Sequence, residues 1–286
     1  MPITLALAGV WFAMSSQDLA KGSRQPPDSH APSVVLRPSQ AQERPSTRKA
    51  GPTTPTLRLG AKAYFLDGYP DIPDGAARAM IDQLDDAARE GDSHAALLIH
   101  LKIDQCFRAL TDQNDPDALV LNAEVLGSLD AALEAQRMRI SQCEGLTRQD
   151  YASRGEWLSM AAELGNPFAQ LIYSSMPEVV LGPLAEILRQ PERLVEFKRR
   201  AVAQLHFAVS GGNVNALERL SQIYSDGYLA PADPVAAQSY RLAAMQADPG
   251  TERREVEEAN KTLDPMQRAE AARMAKEIYR ECCEIK

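Results

Sequence analysis

The chain has 286 residues, 44% of them hydrophobic but only 6% aromatic, and its formal charge is −8. That is enough apolar material for one large or two small domains with a buried core. The charge is unevenly placed: seven Lys or Arg against three acids give +4 in residues 1–60, leaving −12 on the rest, which argues against nucleic acid or anionic lipid as a ligand of the folded part.

The chain opens on "MPITLALAGVWFAM", with an uncharged apolar run from Ile3 to Met14. A helix needs about 20 residues to cross a bilayer, so this run is too short to span one. It fits the apolar core of a secretory signal, with Ala13 and Ser15 as small residues for cleavage, although no Lys or Arg precedes it. Residues 1–15 are therefore expected to be a signal peptide or an N-terminal hydrophobic anchor, and the chain to be periplasmic or otherwise in the cell envelope; a hydrophobic N-terminus on a cytoplasmic protein is the less favoured alternative. A membrane contact is expected only through this segment if it is not cleaved. Residues 16–60 hold seven prolines among Ser, Thr, Gln and Arg, a composition that favours a disordered, extended linker.

Residues 61–286 are expected to form the folded domain. It begins with a lead-in loop, "AKAYFLDGYPDIPDG", with turn signals at Asp67-Gly68 and Asp74-Gly75. From about residue 75 onward apolar residues recur at helical spacing between short Gly, Pro, Asn and Asp breaks, and no period-two alternation predicts a strand. With 43 alanines, the best helix formers, the composition predicts an all-α protein of closely approaching helices.

Three segments repeat one pattern: "AAREGDSHA" (87–95), "AAELGNPFA" (161–169) and "AVSGGNVNA" (208–216). Each reads as the end of one helix, a Gly in the left-handed position that stops it, an Asp or Asn that starts the next, and a small residue where the two helices cross. Each is therefore a helical hairpin. Gly91 and Gly165 are 74 residues apart and Gly165 and Gly212 are 47 apart, so the first gap has room for a further degenerate unit. Periods of this size signal a stacked array. The four-residue spacing of Gly212, Ala216, Leu220 and Tyr224 marks a seam against a neighbouring helix.

Four cysteines, Cys106, Cys143, Cys282 and Cys283, lack C-x-x-C spacing, so neither zinc nor a thioredoxin-like redox site is indicated. Four cysteines permit three pairings. Cys106 with Cys143 is preferred, because each falls in a predicted helix and the intervening residues can form a helical excursion returning antiparallel; two buried free thiols are the alternative. Cys282 and Cys283 either close a ring with each other or anchor the last helix to a neighbour, the second being the more natural geometry. That last helix has Asp264 as its N-cap and Pro265 at its first position.

The repeated segments resemble the Sel-one-like repeat family, α/α solenoids related to tetratricopeptide repeats. "WLSMAAELGNPFAQLIY" carries the pattern through Trp157, Ala161, Ala162, Gly165, Ala169 and Tyr173, and "GGNVNALERLSQIYSDGY" through Gly212, Ala216, Leu220, Tyr224 and Gly227. In the continuation "DPVAAQSYRLAAM", Tyr240 stands where Trp is usual, and the copy at Gly91 lacks both the Trp and the later Tyr. The resemblance implies a short solenoid of stacked helical hairpins over residues 76–247, with the helix after Asp264 as a C-terminal cap. It implies a concave face lined by the first helix of each unit. On that face Asn215, Arg219 and Gln222 flank the seam, and their counterparts Phe168, Ile172 and Ser175 suggest a partly hydrophobic groove.

No catalytic constellation is evident: there is no H-E-x-x-H, no G-x-S-x-G and no Gly-rich phosphate loop. His94 and His100 lie on different faces of a helix and read as solvated or packing residues rather than metal ligands. The acid pairs Asp85-Asp86 and Glu257-Glu258 diverge by about 100° on a helix and read as solvated faces, as does the basic run Lys198, Arg199, Arg200 at an expected helix start. The expectation is a non-catalytic exported adaptor, without cofactor or metal, that binds a protein or peptide. An envelope glycan-binding protein or enzyme with a carboxylate groove, and an immunity-type inhibitor using acidic complementarity, are the alternatives.

Overall fold

The computed structural model describes residues 56–112, 115–248 and 262–284. The expected leader at 1–15, the linker up to residue 55 and Glu257-Glu258 lie outside the described residues. Twelve helices dominate the described residues: α1 (Ala77–Arg89), α2 (Ser93–Asp112), α3 (Pro116–Leu126), α4 (Leu129–Gln142), α5 (Arg148–Glu163), α6 (Pro167–Tyr173), α7 (Pro177–Leu181), α8 (Leu184–Arg189), α9 (Pro191–Ser210), α10 (Val214–Asp226), α11 (Pro234–Ala247) and α12 (Pro265–Cys283). Their starts follow local chemistry. The side chains of Asp115, Asn166 and Asp233 each accept two backbone N–H bonds of the following first turn. Thr147 with Asp150, and Asp264 with Gln267, form reciprocal capping boxes.

The three repeated Gly turns have one backbone geometry. Gly91, Gly165 and Gly212 have φ of 101°, 84° and 99°. Their N–H groups donate to Ala88, Ala162 and Val209, and the N–H groups of the next residues, Asp92, Asn166 and Asn213, donate to Ala87, Ala161 and Ala208, all at 2.9–3.1 Å. This paired bonding closes the end of α1, α5 and α9 in the same way. The small residues around the turns, among them Ala88, Ala95, Ala161, Ala169, Ala208 and Ala216, are buried where the helices cross.

Strands are also present, contrary to the reading of the sequence. β1 (Thr56–Arg58) and β2 (Tyr64–Leu66) pair antiparallel, with Thr56 opposite Leu66 and Arg58 opposite Tyr64. β1 falls within residues 16–60, the span whose composition reads as linker. Three-residue strands are too short to show a period, and their stability comes from what β2 packs on rather than from alternation. The turn signals that follow do hold, with φ of 86° at Gly68 and 112° at Gly75.

Helices next to one another in the chain are mostly next to one another in space. α2 packs on α1, α5 and α4; α6 on α5 and α9; α10 on α9 and α11; and α12 on α11 and α9. One hydrophobic core runs through them, from Leu97 and Ile99 in α2 to Ala275 in α12. The long first gap between Gly turns holds the α3–α4 hairpin. α3 has no buried residue, and α4 buries only Ala132. The hairpin is held at its base, where the Cys106 and Cys143 sulfurs stand at disulfide distance, 2.12 Å, and Lys102 Nζ donates to Gln142 Oε1 at 3.1 Å. Cys282 and Cys283 face each other, sulfurs 2.29 Å apart, rather than either pairing with a cysteine of another helix, and both are buried in the main core. With Cys106 and Cys143 together, no third cysteine remains for them to meet.

Candidate docking surface

Two sets of helices present surfaces, and the chain's own N-terminal segment treats them differently. The lead-in residues cross α10, α6 and α2 in an extended strip. Lys62 Nζ donates to the Glu281 carbonyl at the end of α12, at 2.5 Å. Tyr64 forms a parallel bridge with Asn213, its N–H donating to the Gly212 carbonyl at 2.9 Å. The Leu66 N–H donates to Asn215 Oδ1 at 2.7 Å. The Tyr69 ring meets Phe168 edge-on, centroids 5.1 Å apart. Lys102 Nζ donates to the Pro73 carbonyl at 3.2 Å. Ala63, Leu66 and Pro70 point inward and are buried.

This strip covers the polar and apolar positions that the sequence had placed in a groove. Asn215 is engaged by Leu66, and Phe168 is buried beneath Tyr69. Arg219 turns back to Ser174, its Nε 3.0 Å from the hydroxyl, and its pKa is lowered by burial. The seam residues sit as the spacing demands: Ala216 and Leu220 are fully buried, and Tyr224 is half-buried against Tyr240. Trp157, Ala161, Ala162, Ala169 and Tyr173 are buried around the second turn, and Gly227 ends α10 with φ 71°. The strip itself was not legible, because "AKAYFLDGYP" has no period that marks a face.

α1, α5 and α9 form the other set and are linked through their side chains. Arg78 of α1 pairs with Asp150 of α5, the Arg89 guanidinium stands over the Trp157 ring at 5.2 Å, and Arg200 of α9 reaches Glu163 of α5 at 2.9 Å. A groove of about 530 Å³ between α1 and α5 is lined by Asp82, Asp85, Asp86, Asp150 and Glu156, with Trp157 and Met160 among its apolar residues. A second of about 570 Å³ between α5 and α9 is lined by Glu163, Gln170, Arg199, Arg200, Gln204 and Phe207. Phe207 is 63% exposed there.

The charges on this set are largely satisfied within the chain. Thr147 and Arg78 bonds hold the Asp150 carboxyl below its usual range, against the opposing effect of its partial burial. Arg199 and Arg200 hold Glu196 down to about 2. The basic run lies in the third turn of α9, not at a helix start, since α9 begins at Pro191. Lys198 donates to the Tyr228 carbonyl at 2.6 Å.

Reasoning from sequence missed a buried polar cluster in α2. Lys102 is fully buried, and burial lowers its pKa, with Asp74 opposing. His100, also fully buried, shares a hydrogen bond between Nδ1 and the Arg154 carbonyl at 2.8 Å. Arg154 stacks over Phe107 at 3.5 Å and lies 3.9 Å from Asp104. The available signal was the placement of His100 and Lys102 inside the apolar run "ALLIHLKI". Among the described residues no group of three His, Cys, Asp or Glu is placed to hold a metal, and no helix is long and apolar enough to cross a membrane.

A scan against protein-family profiles finds no match for this chain, and a search of curated proteins finds no relative.

Proposed function

We propose that the chain is a non-catalytic exported adaptor that binds a protein or peptide partner through the open face of α1, α5 and α9. In this reading the hairpins stack as a short α/α solenoid of the Sel-one-like kind, and α12 is its cap. The common geometry of the Gly91, Gly165 and Gly212 turns supports a repeated unit. The two cysteine pairs at disulfide distance support an oxidising compartment such as the periplasm. The acidic body makes a protein partner better suited than nucleic acid.

The observation that carries the reading is Phe207: a large aromatic, mostly exposed, in a groove flanked by paired guanidinium and carboxylate groups, on a face the lead-in strip leaves uncovered. Aromatic anchors with Arg neighbours are the usual energetic centre of protein interfaces. The carboxylate groove beside α1 supports a glycan or catalytic site less well, because Arg78 holds Asp150 ionised and Arg89 occupies both Asp85 and the Trp157 ring.

A photoreactive phenylalanine analogue at Phe207, in cells that make the protein, tests this. One discrete adduct is expected, lost with Arg199→Glu and Arg200→Glu. The same adducts from an analogue at exposed Arg137 on α4, or none at Phe207, would overturn it.

A further inference from the structure

The strip over α6 and α10 is held as a bound peptide would be held. Its main chain is recognised twice, by the Gly212 carbonyl and by the Asn215 side chain, at 2.9 and 2.7 Å. Ala63, Leu66 and Pro70, three and four positions apart, are buried; Tyr64 and Phe65 between the first two are half-buried, and Asp67, Gly68 and Tyr69 between the last two are exposed. Backbone bonds with pockets for spaced side chains are how extended peptides are read by folded surfaces.

The third Gly turn is the one built for this. A methyl group at Gly91 or Gly165 would meet only the side chains of Leu164 and Phe207, at 3.9 and 3.7 Å. At Gly212 it would run into the Lys62 carbonyl, so the glycine there lets the main chain of the strip lie against the turn. The resident segment also fits incompletely. Asp92 and Asn166 use their side chains to cap α2 and α6. Asn213, in the same position and fully buried beside Tyr64, makes no cap, and both ends of its amide lack a hydrogen-bond partner among the described residues. A buried amide left in this state is costly, and a segment with a suitably placed polar side chain would hold the site better.

We propose that the face of α6 and α10 is a second binding site, for an extended peptide bearing a small residue, an apolar residue three positions on and a proline four beyond that, and that residues 62–70 are its resident occupant. A partner segment of this form displaces them. Because the resident segment is tethered, it competes at high effective concentration, so free peptide binds the intact chain weakly. The site is separate from the open face at Phe207, and either can fail without the other.

The test uses the full chain and a fluorescent synthetic peptide of residues 60–72. Ala63→Asp with Leu66→Asp in the chain should release the strip and raise peptide affinity at least tenfold over the unaltered chain. Adding Asn215→Ala should reverse most of that gain, and a peptide carrying its own Leu66→Asp should not bind. If the released variant is poorly folded, saturating peptide should restore its thermal transition in a concentration-dependent way. A folded variant with unchanged affinity, or an unfolded one that peptide does not rescue, overturns the proposal. So does a concentration-dependent dimer of the unaltered chain that exchanges residues 59–74 between copies, which would make a second copy the occupant.

Discussion

The rings of Tyr224 and Tyr240 lie parallel, 4° between their planes, with centroids 5.7 Å apart. They join the end of α10 to the middle of α11, and the Tyr240 hydroxyl lies 3.3 Å from His206 Nδ1 of α9. Burial raises the Tyr240 pKa, so the phenol is held neutral. Tyr240→Ala is expected to cost about 3 kcal/mol in chemical denaturation, by analogy with aromatic truncations in cores. A double-mutant cycle with Tyr224→Ala should return a coupling of about 1 kcal/mol, the worth of an aromatic pair beyond its buried area.

Gly155 predicts a reversal of sign. It lies inside α5, where Gly→Ala ordinarily stabilises a helix by about 1 kcal/mol. Here an added methyl would collide with the Val179 carbonyl of α7. Backbone cannot yield as a side-chain end can, so Gly155→Ala is expected to destabilise by roughly 1–3 kcal/mol. A higher melting temperature would show that α7 moves freely.

These cases also mark what the sequence could say. The Gly turns, the Asp and Asn starts and the Ala216–Leu220 seam were legible because helix ends and helix faces leave short-range chemical signatures. Gly155 reads as a weak helix position, since the contact that requires it comes from a carbonyl 24 residues away. The lead-in strip was illegible for the same reason: its conformation is set by α6 and α10, not by its own propensities. A groove was expected where Asn215 and Phe168 stand, and the surface is there, but it is filled from within the chain.

His100 predicts a dependence on pH. Burial lowers its pKa most strongly; Arg154 and Arg108 act in the same direction, against the Arg154 carbonyl and Asp104. The native state thus binds a proton less readily than the unfolded state, whose histidine titrates near 6.5. Stability should therefore be undiminished above about pH 6.5 and fall as pH drops below it, until the native imidazole is itself protonated. His94, lowered chiefly by burial, adds to the same trend. Urea midpoints between pH 7.5 and 5 should show the fall, and His100→Gln, which keeps a donor for the Arg154 carbonyl, should make it shallower while leaving the share of His94 and of His206, which burial also lowers.

The α3–α4 hairpin depends on its staple more than any other element. α3 leaves Val120, Leu121 and Val125 exposed and has no buried residue of its own, so burial contributes little to holding it. The Cys106–Cys143 link closes a loop of 37 positions, which in the chain-entropy picture contributes roughly 3–4 kcal/mol. Since α1, α2, α5 and the helices beyond them pack without the hairpin, Cys106→Ala with Cys143→Ala should release it locally and leave the remaining core folded. Hydrogen exchange should then accelerate selectively within residues 116–142, with little change in α9 to α11. Uniform acceleration across the whole chain would instead mean that the hairpin is part of the cooperative core, and that its exposed apolar residues are better anchored than their burial implies.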